Sequence, residues 1–269
     1  MSPRLIAISF ASSGIARGLV ANGLSYFLLI YYSQVLGLDP SLAGLAMMIA
    51  MVFDAISDPL IGAWSDRIRS HWGRRHPFLF ASIVPISVIY FFLWDTPELS
   101  QSGLFIYLLS LTIMLRLSLT LHIVPYTALL PEITSDYEDR TRLMSLVTTG
   151  SYFAGTALAV LMYAYWLVDA PGEEPGSGIL RKSGYIDANF VAACIVFLCL
   201  SISAFGTFKR VRPLAINDSQ KPTGSIARKI GIFFNEAKET VNDRNFVVMA
   251  LSGLAGAMAM GTYASLWAY

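Results

Sequence analysis

The sequence predicts an all-α polytopic membrane protein, a bundle of six transmembrane helices followed by a seventh. Three observations carry this prediction. The 269-residue chain is 55% hydrophobic and 14% charged, with a mean hydropathy of +0.57. Soluble domains carry about 25% charged residues to cover their water-facing surface. The apolar residues fall in unbroken blocks of the length a membrane-crossing helix needs, roughly 20 residues, and not in the spaced pattern of a half-buried core. Lys and Arg gather in alternate connections, as they do when successive spans reverse direction.

The blocks cover 5–36, 42–62, 78–94, 103–130, 143–168, 188–208 and 246–269. The first is long enough to tilt or bend. Gly and Pro punctuate the ends, as in Gly37-Leu38-Asp39-Pro40, Asp95-Thr96-Pro97 and Pro171-Gly172, where turns form readily. Backbone in hydrocarbon must satisfy its own hydrogen bonds, so runs this apolar are helical. The opening MSPRLIAISF enters the first block without a small-residue cleavage site, which fits a retained span and not a removed signal peptide. Cys194 and Cys199 lie together in one apolar block and read as small packing residues.

Charge sets the expected orientation. One side receives Arg4, Arg67, Arg69, Arg74, Arg75, Arg140, Arg142, Lys209, Arg210 and Arg212, and further basic residues up to Arg244. The other receives Arg181 and Lys182 among several acids. The positive-inside rule therefore puts the N-terminus in the cytoplasm, which argues against a seven-span receptor. Net charge is +1, so nothing points to nucleic acid. The organisation expected is a six-helix half at 1–208, a cytoplasmic linker with an amphipathic surface helix at 209–245, and a seventh helix at 246–269. That seventh helix would open a second half lying beyond this chain.

Ionisable residues inside spans cost roughly 2.5–3.5 kcal/mol each at the membrane centre, so each is a functional candidate. Arg17 lies in the first span, Asp54 and Asp58 in the second, and Arg116 in the fourth. The two acids stand four residues apart, on one helix face. Carboxylates that close repel, so the pair either binds a cation or keeps a proton on one member. The alternative is structural pairing with Arg17 and Arg116. Asn22 and Tyr26 read as a polar stripe with Arg17. His122, Tyr126 and Thr148 read as further cavity-lining candidates, although a hydrogen-bonded core role serves His122 as well. No metal-ligating or nucleophilic set appears, which excludes the common intramembrane enzymes. A non-transporting membrane scaffold and an uncoupled facilitator of a non-sugar solute stay open as rivals.

The most specific signal runs from Asp54-Ala55-Ile56-Ser57-Asp58-Pro59-Leu60-Ile61-Gly62 through Asp66-Arg67 to Trp72-Gly73-Arg74-Arg75-His76-Pro77. Gly62 would allow close helix approach. Asp66 can pair with an arginine, and Arg67, Arg74 and Arg75 anchor a cytoplasmic loop. Together with Val124-Pro125-Tyr126-Thr127 and Pro131-Glu132-Ile133-Thr134, the motifs resemble the major facilitator superfamily. Within it they resemble the glycoside–pentoside–hexuronide:cation symporters, the melibiose-permease-like group.

The resemblance implies a twelve-span, two-half carrier working by alternating access. It further implies a small solute of the sugar or glycoside kind, with H⁺ or Na⁺ as coupling ion, no other cofactor, and residence in a plasma or inner membrane. Asp54 and Asp58 match the family's cation-site aspartates, and Thr120 falls where sodium-coupled members place another oxygen ligand. Gly62, Asp66, Arg67, Arg74 and Arg75 match the cytoplasmic gate. Three family positions differ: Gly18 and Ile123 stand for aspartates, and Thr148 for an arginine. Loss of that fourth-helix aspartate, with Arg116 nearby, favours H⁺ over Na⁺.

Overall fold

The computed structural model describes residues 3–65, 70, 72–169, 172, 174, 176–217, 246–249, 251–253, 255–256 and 258–259. Among the described residues, six helices are long and apolar enough to cross a membrane: α1 within Arg4–Leu28, α2 (Pro40–Ser65), α3 (His76–Trp94), α4 (Gln101–Ile133), α5 within Tyr137–Trp166, and α6, apolar over Lys182–Phe208. The protein is an integral, multi-pass membrane protein. Large apolar side chains such as Met51, Val52, Ile56, Phe153 and Val160 point outward, as they do where the surroundings are hydrocarbon.

The chain divides into two compact units, Met1–Ser219 and Gln220–Tyr269. In the second, the described residues from 246 to 259 are helical. The amphipathic helix expected after residue 217 lies outside the described residues. α6 itself continues to Asn217, beyond the expected end of its span at 208. A helix need not stop where its apolar run stops.

α1 is regular over Pro3–Asn22 and then widens into π-helical turns at Gly23–Leu28 and Tyr31–Val35. The long first block, expected to tilt or bend, contains this change of winding. Gly23 sits there because the Tyr90 hydroxyl occupies the place of a β-carbon. The following aromatics are fixed on α3: the Tyr31 hydroxyl donates to the Trp94 carbonyl at 2.5 Å, and that of Tyr32 to the Leu93 carbonyl at 2.9 Å. Ser100 caps α4 by accepting from the Gly103 N–H, and Asp136 caps α5 by accepting from the Asp139 N–H, each satisfying an orphan amide.

α1 packs against α5 and α6, and α3 against α4 and α6, while α2 lies along α4. The α1–α5 contact is backbone on backbone. A β-carbon at Gly14 would stand 2.8 Å from the Val147 carbonyl carbon, and one at Gly18 would stand 2.7 Å from that of Ser151. Both distances are shorter than any normal contact, so only glycine fits. At Gly62 the expectation of close approach fails, because a β-carbon there would meet Val124 Cγ1 at an ordinary 3.6 Å. Crowding does not require that glycine.

Candidate functional site

Where α2 leans on α4, a cavity of about 430 Å³ opens between them and α1. α1 contributes Arg17 and Val20, α2 contributes Asp54 and Asp58, and α4 contributes Arg116, Thr120 and Ile123. The four-residue spacing of the acids and of Arg116 and Thr120 turns both pairs toward each other. Arg116 Nη1 donates to Asp54 Oδ2 at 2.9 Å, with 22% and 28% of the two side chains exposed. Thr120 Oγ1 lies 2.7 Å from Asp58 Oδ1 and 3.2 Å from Asp54 Oδ1. One hydroxyl hydrogen thus stands between two carboxylates, and it can serve one of them at a time.

Asp58 is exposed to the cavity and bonds to Thr120 alone among the described residues. Arg17 lines the same cavity, half-buried, with no hydrogen bond or ion pair among the described residues. Structural pairing therefore accounts for Asp54 and Arg116 and leaves Asp58 and Arg17 over.

The remaining candidates separate from this cavity. His122 is buried, its two ring nitrogens 3.0 Å from Ser13 Oγ and 3.0 Å from Ser82 Oγ. Tyr126 donates to the Phe10 carbonyl at 2.6 Å and stacks on the Phe10 ring. Both border a space of about 20 Å³, which Arg17 also touches; that is room for about one water. His122 ties α4 to α1 and α3. Asn22 donates to its own helix at the Gly18 carbonyl and presses on Gly155 of α5, outside the cavity. Tyr26 is 53% exposed and meets Phe27 edge-on. Thr148 is exposed in a separate groove with Arg140, Ser145 and Thr149.

At one end of the bundle Arg75 Nε stands 2.9 Å and Arg74 Nη2 3.6 Å from Glu132 Oε1. This ties the connection preceding α3 to the end of α4. Asp66 and Arg67 lie outside the described residues. Glu132 had no assigned role from sequence, although its Pro131-Glu132 motif was visible; its proximity to Arg75 is a tertiary fact. Ser13 and Ser82, the partners of His122, carried no sequence signal.

Acids and arginines gather round one cavity inside a bundle of membrane-crossing helices, and ionisable groups so placed mark a candidate functional site. The chain belongs to the MFS/sugar transport protein family, whose model matches residues 9–269. The resemblance drawn from the 54–62 and 72–77 motifs is thereby upheld. Among its relatives is an uncharacterised symporter of Synechocystis, 37% identical over 178 residues, which are 63% of this chain and 32% of that protein. The inner membrane symporter YicJ of Escherichia coli is 28% identical over 204 residues, 76% of this chain and 43% of that protein. The sodium-dependent lysophosphatidylcholine symporter 1-A of Danio rerio is 28% identical over 155 residues, 56% and 29% of the two chains. The matched part spans less than half of each of these relatives.

Proposed function

We propose that the chain supplies one wall of a secondary active transporter that moves a small, sugar-like solute by alternating access, coupled to protons at Asp58. The N-terminus is cytoplasmic in this reading, and the Arg74–Arg75–Glu132 contact closes the cytoplasmic end. The observation that carries it is the single Thr120 hydroxyl shared by two carboxylates, one of which already holds Arg116. Arg116 already occupies Asp54, whereas Asp58 bonds Thr120 alone among the described residues, so Asp58 is the carboxylate left open to a proton. Protonated Asp58 can donate to Thr120 Oγ1, which then gives its own hydrogen to Asp54 Oδ1. Both short contacts are satisfied at once, with no atom moved far.

Sodium is the second reading, favoured by the sodium-dependent relative in zebrafish. Three oxygens converge here, from Asp54, Asp58 and Thr120, and a hard cation wants several. Arg116, however, already covers one carboxylate and opposes a second cation.

The test is solute-driven proton movement in proteoliposomes loaded with a pH dye and challenged with a panel of glycosides and sugar acids. Protons should enter with a transported solute, independently of sodium, and Asp58→Asn should abolish this while leaving solute binding intact. Unchanged proton-driven accumulation in Asp58→Asn would remove the coupling assignment. Steep sodium dependence at fixed pH would reverse the choice of ion.

A further inference from the structure

A second cavity, of about 640 Å³, opens where α1 begins, α4 ends and α5 begins, at the end of the bundle that holds Arg75 and Glu132. It shares no lining residue with the cavity of Asp54 and Asp58. Gly14 meets Val147 and Gly18 meets Ser151, so α1 and α5 run parallel with a constant offset in level. On that scale Arg4 stands level with Tyr137, and Leu146 lies about 13 Å deeper at 1.5 Å per residue. Charge lines the mouth and apolar side chains line the depth. Ile8 follows Arg4 by four residues, and Leu146 follows Arg142 by four. Each guanidinium thus stands one turn outward of an apolar side chain on its own helix face, and Ile8 and Leu146 are both exposed.

The charges of this cavity are uncommitted. The side chains of Arg4, Arg142 and Asp139 line it and make no hydrogen bond or ion pair among the described residues. Arg140, in the same turn of α5, differs: its Nε donates to the Thr134 carbonyl at 3.0 Å. A topology signal needs positive charge near the membrane surface; it does not need guanidiniums from two helices on one cavity with an apolar floor.

We propose that the cavity holds an anionic phospholipid of the surrounding leaflet, its phosphodiester between Arg4 and Arg142 and the start of one acyl chain along Ile8 and Leu146. Guanidinium forks match phosphate oxygens. Two arginines and one acid leave one positive charge over, which one phosphodiester neutralises. A free phosphate would satisfy the arginines and leave the apolar depth unfilled, whereas a lipid fills both. The bound lipid joins α1 to α5 at their ends, and this role does not depend on transport by the chain. In the orientation proposed above, the leaflet is the cytoplasmic one.

The experiment titrates the purified chain in detergent with dioleoyl phosphatidylglycerol or dioleoyl phosphatidylcholine and counts bound lipid by native mass spectrometry. The two lipids share their chains and differ in net charge. The wild type should prefer phosphatidylglycerol, and Arg4→Gln and Arg142→Gln should each lower its affinity roughly fivefold. Arg140→Gln, which removes a charge from the same turn but not from the cavity, should leave the preference intact. Leu146→Asn should weaken lipid binding, and inorganic phosphate should not displace the lipid. Phenylglyoxal modification of Arg4 and Arg142, read by peptide mass spectrometry on the wild type, should be slowed by phosphatidylglycerol and not by phosphatidylcholine; this arm stands even where a variant does not fold. Equal binding and equal labelling with the two lipids, as where the arginines serve a protein carboxylate, overturn the proposal. So does a preference that survives loss of both arginines or falls equally in Arg140→Gln, which would reduce it to general surface charge. Displacement by inorganic phosphate would make the cavity a free-anion site and overturn the lipid assignment.

Discussion

Replacing Gly18 with alanine should destabilise the bundle, although alanine is the better helix former. The added β-carbon would stand 2.7 Å from the carbonyl carbon of Ser151 and 2.8 Å from its Cα. Carbon atoms pack at about 3.5–4.0 Å, so α5 would have to retreat by most of an ångström. The obstacle is backbone and cannot turn aside as a side chain would, so the expected cost is in the upper part of the roughly 1–3 kcal/mol range for overpacking. Between membrane helices no hydrophobic driving force compensates, because lipid is as apolar as leucine and the association rests on close packing.

Gly44 in α2 supplies the control, since a β-carbon there meets nothing within 4 Å. Gly44→Ala should stabilise by about 0.5–1 kcal/mol through helix propensity alone. Both variants gain that propensity, so the difference between them isolates the contact with Ser151. Reversible unfolding in mixed micelles with increasing dodecyl sulfate, followed by tryptophan fluorescence, reads both variants on one scale. If Gly18→Ala is as stable as Gly44→Ala, the backbone-on-backbone account of the α1–α5 contact is wrong.

Glu132→Gln removes the acid that Arg74 and Arg75 share; with Arg75 only 12% exposed, the expected loss, about 1–2 kcal/mol, lies between that of surface and buried pairs. A cysteine placed at Thr134 should then react faster with an impermeant maleimide, and an unchanged rate would reduce the contact to an anchor without gating effect. The loop after α5 should loosen in acid. Asp169 accepts from the Gly176 and Gly178 amides at 2.8 and 2.7 Å, and these bonds hold its carboxyl below the usual carboxylate range. A depressed folded value means that the stabilisation is complete above the unfolded value, about 3.9, and is lost as pH falls through the folded one. Limited proteolysis between residues 169 and 180 should therefore accelerate in acid for the wild type and be fast at all pH values for Asp169→Asn; a cleavage rate flat with pH in the wild type would contradict this.

The spans were legible because hydrocarbon imposes a length and composition that no packing detail overrides. The acid pair was legible because a four-residue spacing fixes two side chains on one face whatever surrounds the helix. The polar stripe of Arg17, Asn22 and Tyr26 misled because its first step is five residues, which turns Asn22 about 140° from Arg17. The residues that share the cavity with Arg17 are Val20, Ala21 and Leu24, at the three, four and seven spacing of one helical face. The π-helical turns from Gly23 onward shift the register again. His122 takes the hydrogen-bonded core role and not a place on the larger cavity, because it stands two positions, about 200°, from Thr120. Glu132 could not be assigned because its partners approach from a connection that sequence periodicity does not describe.

These placements divide the bundle by the kind of force that holds each helix. α1 and α5 meet through glycines with no slack, and α1, α3 and α4 are pinned together by buried bonds from Ser13, Ser82 and His122. α2 is held differently. Among the described residues, the polar side-chain bonds that join α2 to another helix are those of Asp54 and Asp58 to Arg116 and Thr120. The helix least committed by packing is thus the one whose attachment passes through carboxylates. A tightly packed contact has one arrangement, whereas a carboxylate contact has two, set by whether a proton is bound. In the proposed coupling, a proton at Asp58 would alter these contacts of α2 and leave the glycine-lined α1–α5 contact as it is.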